Sequence, residues 1–105
     1  MADTQNIIAP VGTANTPEIL TSAGTALAAN PARAGWMIQN CDTDPLFVRF
    51  GTGASTTVFH AILQGGTGAD DGKGGSISQM SGIVYTGIIT VTGTTPRFVV
   101  TELTK

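Results

Sequence analysis

The sequence predicts an all-β domain: a single antiparallel β-sandwich or barrel-like fold of about seven to eight short strands with an extended N-terminal arm. Three observations carry this. Short runs of alternating apolar and polar residues end in Gly, Pro, Asn or Asp at intervals of roughly 8–12 residues. Glycine is abundant, with 14 in 105 residues, and threonine is frequent, a composition of turns and strands rather than helices. No strand pattern is followed by an amphipathic helical one, so the βαβ unit of a parallel sheet is missing. The length suits one domain with a real core.

Residues 1–16 are small and polar except for Ile7-Ile8-Ala9, and Pro10 and Gly12 interrupt them. They predict an extended arm that orders on a neighbour, with Ile7 and Ile8 as its apolar contacts, or else a frayed terminus. The β-sandwich domain is expected over 17–105. Within 17–29, Glu18-Ile19-Leu20 and Ala26-Leu27-Ala28-Ala29 suit a short helix. Thr21, Ser22, Gly24 and Thr25 favour instead two short strands with a turn at Ser22-Ala23-Gly24, the reading adopted. Asn30-Pro31 marks a turn, because proline pushes the preceding residue out of the α region.

The stretch from Arg33 to Gly51 organises the rest. It predicts a hairpin: one strand with Trp36, Ile38 and Asn40 on one face, turn chemistry at Asp42-Thr43-Asp44-Pro45, then a strand alternating Leu46, Val48, Phe50 against Phe47, Arg49. Trp36, the sole tryptophan, supplies aromatic bulk to the core. A loop over 51–57 precedes a strand at Val58–Leu63, and Gly65–Gly75 forms the longest loop. Ser76–Met80 is a short strand with Ile77 inward. Ile83–Thr92 alternates over its whole length, and a turn at Gly93-Thr94-Thr95-Pro96 leads to a last strand at Arg97–Leu103.

Charge narrows the function classes. Five basic residues (Arg33, Arg49, Lys73, Arg97 and Lys105) are scattered and outnumbered by seven acidic ones, which argues against nucleic acid as a partner. Charged residues are 11% of the chain, against ~25% in ordinary soluble domains. A surface so poor in charge points to a partner covering part of it. No run reaches the ~18 apolar residues of a membrane span, and the N-terminus lacks the pattern of a signal peptide, so synthesis in a cytoplasm is expected.

The loop Gly65–Gly75 (GGTGADDGKGG) is the one stretch that resembles a ligand-binding motif. A phosphate-cradling loop fails, because Thr67 stands at the first glycine's place and Gly74 at the place of the magnesium-binding hydroxyl. Gly65 to Asp70 matches the start of a calcium-binding nonapeptide repeat. That repeat binds calcium between adjacent copies, and here there is one copy, with Gly72 where an apolar residue belongs. The reading adopted is a flexible hairpin loop with Asp70 and Asp71 as turn formers and Lys73 solvated, and a third option is that Asp70, Asp71 and Lys73 grip a neighbouring protein. His60 is the only histidine and Cys41 the only cysteine. Lone residues make neither a triad nor a metal cluster, and Asp42 beside Cys41 is expected to raise its thiol pKa. The pairs Asp42/Asp44 and Asp70/Asp71 lie in turn-rich stretches and read as structural. No catalytic, cofactor-binding or metal residue is predicted. Phe47, beside Arg49 and opposite the Val48/Phe50 face, is expected to contact another subunit, with sugar stacking at Trp36 or Phe47 as the alternative.

Ala29-Asn30-Pro31-x-Arg33-x-x-Trp36-x-Ile38-Gln39-Asn40 and Pro45-Leu46-Phe47-Val48-Arg49-Phe50-Gly51 resemble small virion proteins of tailed bacteriophages. The glycine-rich loop, Ile83 to Val91 and the closing Arg97-Phe98-Val99-Val100-Thr101-Glu102 extend the resemblance over residues 27–103. It implies a compact β-sandwich attached to the virion, without an active site. The expected function is a head decoration or cement protein that binds and stabilises the capsid shell, with a tail or neck fibre or adaptor, or a carbohydrate-binding module, as alternatives. The expected partners are the major capsid protein, other virion proteins or further copies of the chain. Ile7, Ile8, Phe47, Arg49, Asp70, Asp71 and Lys73 are the expected contact residues.

Overall fold

Alternation with period two, seen along most of the sequence, produces two antiparallel sheets that share one apolar interior. The computed structural model describes residues 12–79 and 82–105, so Ile7 and Ile8 lie outside the described residues. The strands are β1 (Thr13–Ala14), β2 (Ile19–Leu20), β3 (Gly24–Leu27), β4 (Arg33–Asn40), β5 (Leu46–Phe50), β6 (Ala61–Leu63), β7 (Ser76–Ser78), β8 (Ile89–Thr92) and β9 (Phe98–Thr104). The first sheet runs β1-β9-β4-β7, with β2 also on the free side of β9, and the second runs β3-β8-β5-β6. No helix occurs among the described residues. The all-β class holds, with nine strands among the described residues because the N-terminal third contributes three very short ones.

The inward faces match the alternation. Trp36, Ile38, Phe98 and Val100 from the first sheet meet Leu27, Leu46, Val48, Leu63, Ile89 and Val91 from the second. Ile38, Val48, Ile89 and Phe98 are wholly excluded from water. Each such side chain contributes roughly 1.5–3 kcal/mol by leaving water.

The pairing is not the one expected. Arg33–Gly51 is not a hairpin: β4 belongs to the first sheet and β5 to the second. Residues 41–45 form an arch between layers, which sets the Trp36/Ile38 face across from the Leu46/Val48 face rather than beside it. Asn40 causes this. Its side-chain amide, 1% exposed, donates to the carbonyls of Asp44 (2.9 Å), Leu63 (3.1 Å) and Gln64 (3.2 Å), while its oxygen accepts from Asp42 N–H (3.0 Å). One buried residue thereby ties the end of β4 to the opposite sheet.

Layer switching recurs at β2–β3, β3–β4, β6–β7, β7–β8 and β8–β9. The Gly65–Gly75 loop is therefore not a hairpin loop either. Among the described strands, only β5 and β6 are both consecutive and paired. Two expected strands are shorter than the pattern implied. Val58–His60 stays outside β6, because Val58 N–H turns back to the Ser55 hydroxyl (2.9 Å) and carbonyl (3.3 Å). The expected strand at Ile83–Thr92 is reduced to β8.

Arg33 accounts for the second shortening. Its side chain is fully buried, and Nε donates to Glu102 Oε2 (2.8 Å). The two terminal nitrogens donate to the carbonyls of Tyr85 (2.8 Å), Gly87 (2.9 Å) and Ala28 (2.6 Å). Asn30 N–H takes the Thr86 carbonyl (2.8 Å). The carbonyls of 85–87 are thus satisfied by a side chain and a turn, and need no neighbouring strand.

Two measurements check these causes. Arg33→Met leaves Glu102 and three carbonyls without their donor and is expected to lower unfolding free energy by about 3–5 kcal/mol in urea titration. Gly65→Ala drives a methyl group into the Thr43 carbonyl at the arch. It is expected to cost about 1–3 kcal/mol in the same assay.

Candidate functional site

Three surfaces compete as the functional site. The first is the 65–75 loop, which carries the expected Asp70, Asp71 and Lys73. Asp71 is its organiser: Oδ2 accepts from Thr67 Oγ1 (2.6 Å), Gly68 N–H (2.8 Å) and Thr67 N–H (3.0 Å), and Oδ1 accepts from Lys73 N–H (2.9 Å). The Thr67 hydroxyl, then the Lys73 amide, lead in holding this carboxyl down to about 2, with the Gly68 and Thr67 amides adding to them. Asp70 stands at φ 56°, in the left-handed region that aspartate tolerates. Its carboxylate meets Arg97 in a two-pronged pair, with Nε to Oδ1 at 2.8 Å and a terminal nitrogen to Oδ2 at 2.6 Å. The hydrogen bond from Arg97 holds the Asp70 carboxyl below the ordinary range.

Backbone bonds fasten the loop to the arch: Asp70 N–H to the Cys41 carbonyl (2.9 Å) and Gly66 N–H to the Asp42 carbonyl (2.8 Å). Both carboxylates expected at a partner contact thus have internal partners, and the loop is built rather than slack. Among the described residues no three His, Cys, Asp or Glu side chains gather to hold a metal ion.

Cys41 lies at the foot of this loop, partly buried. Burial pushes its thiol up, and the Asp70 carboxylate adds to that. The acid responsible is Asp70, brought close by the fold, rather than the sequence neighbour Asp42 proposed from the pattern. His60 is exposed and far from a triad arrangement in its bonding: Nδ1 accepts the Phe50 N–H (3.0 Å) and the ring stacks on Phe50 with centroids 5.0 Å apart.

The second surface is the outer face of β5 and β6, where the expected Phe47 and Arg49 stand. Phe47 pairs across to Ile62 on one side and Thr92 on the other, and Phe59 meets it edge-on with centroids at 5.2 Å. Ile62 is 52% exposed, Val58 45% and Phe59 37%. The Arg49 guanidinium lies over Gly51 and Gly53. The sequence pattern placed Phe59 and Ile62 in a strand without showing that they would surface beside Phe47. The signal lay in the unbroken run Val58-Phe59, which two-sided alternation cannot bury on an edge. Phe47 and Phe59 stand at 64° to each other, so they form an apolar knob and not a flat stacking platform. Trp36, the other expected sugar platform, is only 4% exposed.

The third surface is a cleft of about 210 Å³ lined by Trp36, Phe50, Ile83 and Tyr85. Phe50 packs edge-on against Trp36 (5.5 Å) and tilted against Tyr85 (5.4 Å). It offers no charged or catalytic group.

Comparison with protein-family models, curated proteins and solved structures finds no match to this chain.

The Asp71 arrangement has a pH signature. Its folded value lies below the ordinary 3.8. Its stabilisation is therefore complete above about pH 4 and is lost as pH falls through about 2. Amide exchange at Thr67, Gly68 and Lys73 is expected to lose protection over that window while the β4 and β9 amides keep theirs. Asp71→Ala should remove the same protection at pH 7.

Proposed function

We propose that this chain is a non-enzymatic structural protein of a tailed-bacteriophage virion, a head decoration or cement protein that binds the capsid shell and stabilises it. The supporting observation is the apolar knob on the outer face of β5 and β6. Phe47, Phe59 and Ile62 gather where a lone soluble domain ordinarily shows polar side chains, and an exposed apolar patch of this kind marks a protein-binding surface. The low charge of the chain and the resemblance over residues 27–103 favour the same reading. Aromatic anchors at the centre of such a patch carry most of the affinity, with Arg49 at the rim. Repetition over a shell multiplies weak contacts into firm attachment. Ile7 and Ile8 would add contacts from the arm, and Lys73 a polar one from the loop.

The test uses particles that carry this chain. Quantitative mass spectrometry is expected to find a copy number comparable with the major shell protein. A number matching a tail ring moves the assignment to the tail or neck, and absence from particles removes the virion reading. Ile62→Glu and Phe59→Glu, both at exposed positions, are expected to weaken attachment at least ~10-fold, about 1.4 kcal/mol, with an unchanged melting temperature. Undiminished attachment of both variants would move the contact elsewhere.

A further inference from the structure

The cleft of Trp36, Phe50, Ile83 and Tyr85 is an apolar hollow that no described segment fills. It holds about 210 Å³, and a dry apolar cavity of ~150 Å³ already accepts a benzene ring. Ile83 on its wall is 71% exposed, the highest figure for a large apolar residue described. The other walls are held from behind. Arg33 fixes the carbonyls of Tyr85 (2.8 Å) and Gly87 (2.9 Å), and the His60 ring stacks on Phe50 with centroids 5.0 Å apart. A hollow built in advance costs little to order when it is filled.

The strand registers place this cleft relative to the start of the chain. Trp36 stands one residue outside the last β4–β7 pair, Met37–Ser78, and its carbonyl accepts the Gln79 N–H (3.3 Å). Phe50 stands beyond the last β5–β6 pair, Val48–Ala61. The cleft therefore lies towards the β7 and β6 side of the sandwich. Residues 1–11 are attached on the other side. Thr13 pairs with Thr104 on β9, and Thr104 pairs in turn with Arg33, so β1 and β7 are opposite edges of one sheet. Attachment point and cleft share the Arg33 end of the molecule.

We propose that the Ile7-Ile8 segment of one copy seats in the aromatic cleft of a neighbouring copy. Ile7-Ile8-Ala9 is the one apolar run that precedes Thr13, and the cleft presents no charged group to a polar occupant. Reach selects the neighbour over the same copy. Five residues from Ile8 to Thr13 span at most roughly 17 Å. Crossing from β1 past β9 and β4 to the β7 side takes ~14 Å in a straight line, through the body of the sheet. A route around the strand ends, where Lys105 N–H meets the Ala32 carbonyl (3.3 Å), is longer. A neighbour's cleft demands no such path. With donor segment and receiving cleft on opposite edges, the contact is head-to-tail and continues from copy to copy. It gives the arm a specific seat, and it stands whether or not the copies lie on a shell.

The test titrates the synthetic peptide Met1–Gly12 into the full chain at ~50 μM, reading Trp36 emission and the Ile83 methyl signals by NMR. A saturable change with half-effect near ~1 mM is expected. Ile83→Glu in the chain, with folding checked by circular dichroism, is expected to weaken it at least ~10-fold. A peptide carrying Ile7→Asp and Ile8→Asp is expected to leave both signals unmoved. No saturable change up to ~5 mM overturns the proposal, as does an Asp-substituted peptide that binds like the natural one. If the free peptide fails while Ile7→Asp/Ile8→Asp in the full chain shifts Trp36 emission equally at ~5 μM and ~1 mM, the segment sits in its own copy and the neighbour contact is overturned. The titration uses no particles, so its failure leaves the virion reading to the copy-number measurement.

Discussion

The buried Arg33 guanidinium is the interaction on which the rest of the architecture depends. It lies at the start of β4 and draws together the carbonyl of Ala28, those of Tyr85 and Gly87, and the carboxylate of Glu102 on β9. Those groups belong to a turn, an irregular segment and a strand, and the Asn30 N–H to Thr86 carbonyl bond (2.8 Å) joins the turn to the irregular segment beside them. A planar, permanently charged fork can serve all of them at once, and a lysine ammonium cannot match that geometry. A buried ion pair adds little net stability compared with apolar residues of the same size. Arg33 instead determines where the irregular backbone of 85–87 lies, and so where the aromatic cleft of Trp36, Phe50 and Tyr85 closes.

How much of this was legible in the sequence depends on which level is asked. The inward and outward faces of β4, β5, β8 and β9 follow from period-two alternation, and Trp36, Ile38, Asn40, Leu46 and Val48 all point where the pattern sends them. Pairing was not legible. Turn chemistry such as Asp42-Thr43-Asp44-Pro45 says that the chain reverses, but it does not say whether the next strand lies beside the last or across the core. That choice is made by Asn40, whose amide finds the Asp44, Leu63 and Gln64 carbonyls only once the layers are assembled. Arg33 escaped for a related reason: an arginine at a strand start reads as surface charge until its acceptors, up to 69 residues away, are in place. Of the site, Phe47 was visible as an outward aromatic, whereas Phe59 and Ile62 join it through the fold.

Charge is used in this molecule for construction. Arg33 holds Glu102, Arg97 holds Asp70, and Asp71 is enclosed by the backbone of its own loop. With so few ionisable residues in the chain, these internal uses leave broad uncharged surfaces. Solubility ordinarily rests on dispersed surface charge, so such surfaces are a liability for a protein that stays alone. They are an asset for one that is covered.

Exposed apolar side chains stand on both layers of the sandwich, Met37 and Leu103 on β4 and β9, Phe59 and Ile62 at β5 and β6. A rigid body with contacts on both sides can join two neighbours without changing shape, because sheets packed ~10 Å apart fix the distance between the faces. On the proposed reading, the face that carries Phe47, Phe59 and Ile62 meets the shell, and that contact need not be strong, because a repeating surface raises the effective concentration at which each further contact forms.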